Sequence, residues 1–85
     1  MPQYRKKPVV IEAIQWTGDN YSEVYEFLEW EDEGEMGEWF NIETKEGTMT
    51  AFIGDWIIKE PFPTGDRDFY PCKPDVFEKT YEKIN

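Results

Sequence analysis

Trp39-Phe40-Asn41-Ile42-Glu43-Thr44-Lys45-Glu46-Gly47-Thr48-Met49-Thr50-Ala51-Phe52, continued by Ile53-Gly54-Asp55-Trp56-Ile57-Ile58-Lys59, decides the fold. Trp39 to Thr44 alternates, the period of a half-buried strand. Lys45-Glu46-Gly47 is a tight turn, and Thr48 to Phe52 returns as the second strand of a hairpin. Gly54-Asp55 marks another turn, and Trp56 to Lys59 reads as a further strand. Strands that follow one another with only turns between them predict antiparallel pairing.

Upstream, Val9 to Trp16 is apolar on both faces except for Glu12 and Gln15, which predicts a central strand covered on both sides. Thr17-Gly18-Asp19-Asn20 is a turn, and Asn20 with Glu23 has capping-box spacing. A helix is predicted from there to about Trp30. Val24 and Leu28, with Tyr21 and Phe27 beside them, form its apolar stripe, while Glu23, Glu26 and Glu29 face outward. Glu31 to Glu38, broken by Gly34 and Gly37, reads as a solvated acidic loop. Downstream, Pro61, Pro63 and Gly65 mark a loop, and Asp68 to Tyr70 is a short strand that ends at Pro71. Pro74 suits the first turn of a final helix, with Phe77, Tyr81 and Ile84 at helical spacing. The order β-α-β-β-β-β-α predicts an α+β class: one domain over residues 1–85, its two helices against an antiparallel sheet or a small partly closed barrel.

The chain has 85 residues, too few for a second core. Four Trp, five Tyr and six Phe argue against disorder, whose signature is charge without aromatics. Nineteen acidic residues against nine basic ones and no His give a net charge of −10. Ten of the acids fall between Glu23 and Glu46, where Lys45 is the one cation. Such a field repels nucleic acid and anionic membrane and attracts basic protein surfaces. The single Cys72 allows no internal disulfide and suits a reducing cytoplasm. The apolar run after Arg5-Lys6-Lys7 stops at Glu12, short of a signal-peptide core, and no stretch approaches the roughly 20 apolar residues of a membrane span. A soluble cytoplasmic protein is expected.

No catalytic set is legible. Glu12 and Asp55 are the carboxylates placed where burial would tune a general base, but Asp55 after Gly54 also reads as a turn residue that satisfies nearby amides. With no His and one Cys, zinc and copper sites are not expected, and Glu31-Asp32-Glu33-Gly34-Glu35 lacks the alternating spacing of a calcium loop. Cys72 has no His base. Lys73 beside it would lower its pKa, whereas Pro71-Cys72-Lys73-Pro74 as a whole reads as a rigid strand-to-helix connection. No Gly-rich phosphate loop occurs. The expectation is a non-enzymatic protein without cofactor or metal.

Two binding sets remain. Arg5, Lys6 and Lys73 could hold phosphate while Trp16, Trp56 and Tyr70 stack on a base, with Asp55 in the same pocket; the competing reading places Trp16 and Trp56 in the core. The partner is then a small nucleotide-type ligand. Alternatively, Glu31, Asp32, Glu33 and Glu35, flanked by Trp30 and Trp39 as anchors, imitate nucleic-acid charge and occupy a basic groove on a host protein. Direct nucleic-acid or membrane binding is not expected under either reading, and an exposed sheet edge leaves a homo-oligomer open.

Tyr4-Arg5-Lys6-Lys7-Pro8-Val9-Val10-Ile11-Glu12-Ala13-Ile14-Gln15-Trp16 resembles the opening of small proteins encoded by bacteriophages and prophages, mostly of Gram-positive hosts. Glu46 to Ala51, Gly54 to Lys59 and Phe69 to Glu82 resemble the same group. That family is named for a Pro-Gly-Asp-Tyr-Gly motif. This chain reads Ile53-Gly54-Asp55-Trp56-Ile57 there, keeping Gly54, Asp55 and an aromatic residue. The resemblance implies a viral protein acting in the bacterial cytoplasm against host defence, and it brings no catalytic residue with it.

Overall fold

The computed structural model describes residues 1–5 and 7–84. Seven elements follow in the expected order: β1 (Glu12–Gln15), α1 (Tyr21–Leu28), β2 (Trp39–Thr44), β3 (Gly47–Phe52), β4 (Trp56–Lys59), β5 (Phe69–Cys72) and α2 (Pro74–Thr80). The fold is α+β. Its strands divide between a three-stranded sheet, β1-β4-β5, and the β2-β3 hairpin, every pairing antiparallel, and no closed barrel forms.

The central strand of the larger sheet is β4, whose Ile57 and Ile58 are both buried. The sequence pattern assigns that place to Val9–Trp16, but β1 is an edge strand of four residues. Its ladder runs from Gln15 opposite Trp56 to Glu12 opposite Lys59 and stops there. Beyond Lys59 the neighbour offers no continuation: the Glu60 amide donates to the Asp68 carbonyl at 2.7 Å, and Pro61 has no N–H. Val9 and Val10 are exposed as a result.

The hairpin follows the sequence reading closely. Phe40, Ile42 and Ala51 face the core while Trp39, Asn41 and Glu43 face solvent. Thr44 Oγ1 donates to the Gly47 carbonyl at 2.8 Å and closes the turn. Helix α1 lays Val24, Tyr25 and Leu28 against the core. No capping box forms at its start. Asn20 instead ties the preceding turn: Oδ1 accepts from the Thr17 amide at 2.9 Å, and Nδ2 donates to the Gln15 carbonyl at 2.8 Å. The helix stops at Leu28 because Glu29 turns into the left-handed region (φ 63°), and the Trp30 amide caps the Tyr25 carbonyl at 2.9 Å. Trp30 thus lies past the helix end.

Trp16, Val24, Leu28, Phe40, Ile42, Ala51 and Ile57 form the core, with Ile14, Tyr21, Phe27, Met36 and Phe69 packed around them. Each fully buried aliphatic side chain contributes about 1.5–3 kcal/mol. Trp16 meets Phe40 edge-on at 5.7 Å, and its indole Nε1 has no hydrogen-bond partner among the described residues. Strand β5 runs through Pro71 to Cys72, which an edge strand tolerates. Helix α2 buries no residue completely and ends at Thr80, so Ile84 lies beyond it and is exposed. Face-to-face stacking of Phe77 on Trp56, with centroids 4.1 Å apart and planes 5° from parallel, holds this helix to the sheet.

Candidate functional site

The six described residues of the set read as a ligand pocket do not converge as a group. Trp16 is 0% exposed and belongs to the core, so it presents no face for stacking. Arg5 is exposed in the segment ahead of β1, and Lys6 lies outside the described residues. Trp56 is half-buried with one face covered by the Phe77 ring. Tyr70 is half-buried on β5; burial first, and then a hydrogen bond with Tyr81, push its hydroxyl above the ordinary phenol range.

Asp55 and Lys73 do meet. Asp55 is 3% exposed, and its Oδ2 accepts the Phe52 amide at 2.9 Å, the turn chemistry expected of Asp after Gly. Lys73 Nζ donates to Oδ2 at 3.1 Å and lies 4.8 Å from the Phe52 ring centroid. Around the carboxylate the backbone is stitched on both sides: the Trp16 amide donates to the Asp55 carbonyl at 2.9 Å, and the Gly54 amide to the Trp16 carbonyl at 2.7 Å. The Asp55 side chain is thus enclosed and held by the Phe52 amide and the Lys73 ammonium, the latter also 3.4 Å from Oδ1. Lys73 does not activate Cys72, as its ammonium is committed to Asp55. Burial, followed by the nearby charges of Asp55 and Asp75, pushes the Cys72 thiol up and makes it a poor nucleophile. Glu12, the other candidate base, is exposed on the edge strand β1.

The second set is better assembled. Trp39 and Phe52 are directly opposite each other across the hairpin and are 54% and 48% exposed. Ile53, 49% exposed, continues the apolar surface, and its amide donates to the Glu38 carbonyl at 3.1 Å. The acidic segment leads directly into this face, with Glu31, Asp32, Glu33, Glu35 and Glu38 all exposed. It is tethered at both ends. Asp32 accepts Ser22 Oγ and the Gly34 amide, each at 2.9 Å, and Met36 packs against the core. Trp30 sits apart from Trp39, edge-on to Phe40 at 5.9 Å.

Among the described residues, two shallow grooves can be traced, and Arg5, Trp16, Asp55, Trp56, Tyr70 and Lys73 line neither. One, of about 370 Å³, lies between the end of α1, β2 and the loop before β5; the other, of about 250 Å³, lies beside Val10, Ile11 and Glu12. Sequence reasoning missed Asp68, which organises that loop. Its carboxylate accepts the Thr64 amide at 2.9 Å, the Gly65 amide at 2.7 Å and Lys45 Nζ at 2.9 Å. These bonds, the Thr64 amide foremost, hold its pKa far below the usual carboxylate range against an opposing burial effect. The available signal was Thr64-Gly65 with Asp68 three residues past the glycine, the spacing at which Asp55 accepts the Phe52 amide. No protein-family model, curated protein or solved structure matches this chain. Among the described residues, no helix is long and apolar enough to cross a membrane.

Proposed function

We propose that this is a non-enzymatic binding protein whose partner is a basic protein surface. It uses the Trp39–Phe52–Ile53 face as its anchor and the acidic 31–38 segment as its electrostatic rim. The observation that carries this reading is the adjacency of the exposed apolar face to a segment bearing five of the acids. Aromatic anchors with a polar, solvent-accessible rim are the composition of a protein-binding patch, and a rim of one charge sign selects a partner of the opposite sign. The residues of the nucleotide pocket support that function less well, because Trp16 and Asp55 are enclosed and Lys73 is paired. In the phage setting implied by the resemblance, the partner is a host nuclease, polymerase or other defence protein with a basic groove, and binding blocks it.

The test is binding and inhibition against a panel of basic nucleases and polymerases at low and high salt. Affinity for the true partner falls steeply with salt. Charge reversal of Glu31, Asp32, Glu33 and Glu35 removes it, as does Trp39→Ala with Phe52→Ala. A thermal-shift panel of cyclic and ADP-ribose-type nucleotides runs alongside. A saturable rise in melting temperature with one nucleotide, undiminished by the charge reversal, would overturn the reading in favour of small-molecule sequestration.

A further inference from the structure

The body of this molecule and its N-terminal arm carry opposite charge. Residues 1–11 hold Arg5, Lys6 and Lys7 and no acid, so the remaining residues carry a net −13 of the chain's −10. Among the described residues, no ion pair engages Arg5 or Lys7. The arm also exposes apolar side chains, with Tyr4 at 94% and Val10 at 73%. Among its described residues, no helix or strand precedes β1.

The body has a matching vacancy in its hydrogen bonding. Strand β2 pairs with β3 on one side only. Thr44 and Gly47 close a two-residue turn, so the alternation of an antiparallel ladder turns the amides and carbonyls of Phe40, Ile42 and Thr44 toward β3. Those of Asn41 and Glu43 point to the free side. The 370 Å³ groove runs along this edge: three successive β2 residues line it, roughly 10 Å of strand. Trp30 forms one wall, and Glu43 and Asp66 bring two carboxylates against the single cation of Arg67. An extended, basic, partly aromatic segment is complementary to it in backbone pattern, charge and side-chain type.

We propose that the arm of one copy occupies the β2 edge of a second copy, reciprocally, so that the chain forms an arm-exchanged dimer. Tyr4 packs on Trp30, and Arg5 and Lys7 face Glu43 and Asp66. Eleven extended residues reach up to about 36 Å, ample for the arm to cross between two bodies. The arrangement is isologous and closes at two copies. The groove shares no lining residue with the Trp39–Phe52–Ile53 face, though Asn41 and Glu43 lie on the same outward phase of β2 as Trp39, and its test needs no partner protein, so it is read out separately from the proposed function.

Sedimentation of the full-length chain across a concentration series, at low and high salt, tests this. The wild type is a dimer at low salt and dissociates as salt rises. Reversing the arm (Arg5→Glu with Lys7→Glu) raises the dimer dissociation constant roughly ten-fold or more, and so does reversing the groove (Glu43→Lys with Asp66→Lys). Combining the two sets restores association, a recovery that misfolding of either variant would not produce. A wild type that stays monomeric at low salt overturns the proposal, including the case in which the amides of 41–43 report the arm lying on its own body. A dimer indifferent to both reversals also overturns it.

Discussion

Replacing Asp55 by alanine separates a structural carboxylate from a functional one. Its side chain is almost wholly enclosed and serves two partners of very different exposure. The Phe52 amide lies at the end of β3, where the hairpin passes into the larger sheet, and Asp55 Oδ2 is its acceptor. Truncation leaves that amide unsatisfied, at a cost of about 1–3 kcal/mol. The Lys73 ammonium is more than half exposed, so losing its partner returns it to water at a cost of about 0–1 kcal/mol. The two sum to about 1–4 kcal/mol, against a total stability of roughly 5–15 kcal/mol for a small domain. For a domain of this size that lowers the melting temperature by roughly 5–25 °C. Lys73→Ala keeps the bond to the Phe52 amide and, because the Lys73 side chain is 59% exposed, opens the carboxylate to water in place of the ammonium, so the melting temperature falls by up to about 8 °C. Asp55→Asn, which keeps a neutral acceptor for the Phe52 amide, falls between them. Calorimetry of the three variants orders them as wild type, Lys73→Ala, Asp55→Asn, Asp55→Ala. Equal losses in Lys73→Ala and Asp55→Ala would refute the reasoning, because the ion pair, not the Phe52 amide, would then dominate.

Two further outcomes follow from the loop and the second helix. Asp68 has a folded pKa far below its unfolded value, so its stabilisation is fully present above the ordinary carboxylate pKa and is lost as pH falls below about 4. Urea midpoints at pH 7 and pH 3 therefore differ more in the wild type than in Asp68→Asn, and equal differences refute the assignment. Phe77→Ala removes the stack on Trp56, worth about 0.5–1.5 kcal/mol beyond area burial, from a helix with no fully buried residue. Hydrogen exchange accelerates across 74–80 while the amides of β4 stay protected; equal acceleration in both contradicts the peripheral place given to α2.

The α+β class, the element order and the hairpin were legible because strict alternation from Phe40 to Ile42 and the turn at Lys45-Glu46 are local signals. The place of β1 was not. Whether an apolar strand is central depends on which neighbours continue beside it, and the chain that ends its ladder, Glu60-Pro61, lies far away in sequence. The helix end shows the same limit at shorter range: the stripe does not announce that Glu29, an uncommon residue in the left-handed region, will stop it. At the candidate site, Asp55 was legible as a turn residue and its pairing with Lys73 was not, because 18 residues of chain separate them. Trp16 and Trp39 have the same composition signal and opposite fates. Strand parity decides between them, with Trp39 on the outward phase of β2 and Trp16 just past β1, under Phe40.

The outward position of Trp39 has one explanation that needs no partner. An aromatic pair directly across a hairpin stabilises it by about 0.2–1 kcal/mol, and Trp39 opposite Phe52 is such a pair. That explanation does not reach Ile53, which lies past the last ladder pair and is still held by its amide bond to Glu38. A face anchored through backbone bonds loses little conformational entropy when it is covered, which favours slow dissociation. The acidic segment beside it has the opposite character: its exposed charges act at a distance and are screened by salt, so they govern encounter. Substitutions at Trp39 and Phe52 therefore act on the dissociation rate, and charge reversal at Glu31, Asp32, Glu33 and Glu35 on the association rate. The two halves of the surface are separable in a single kinetic measurement.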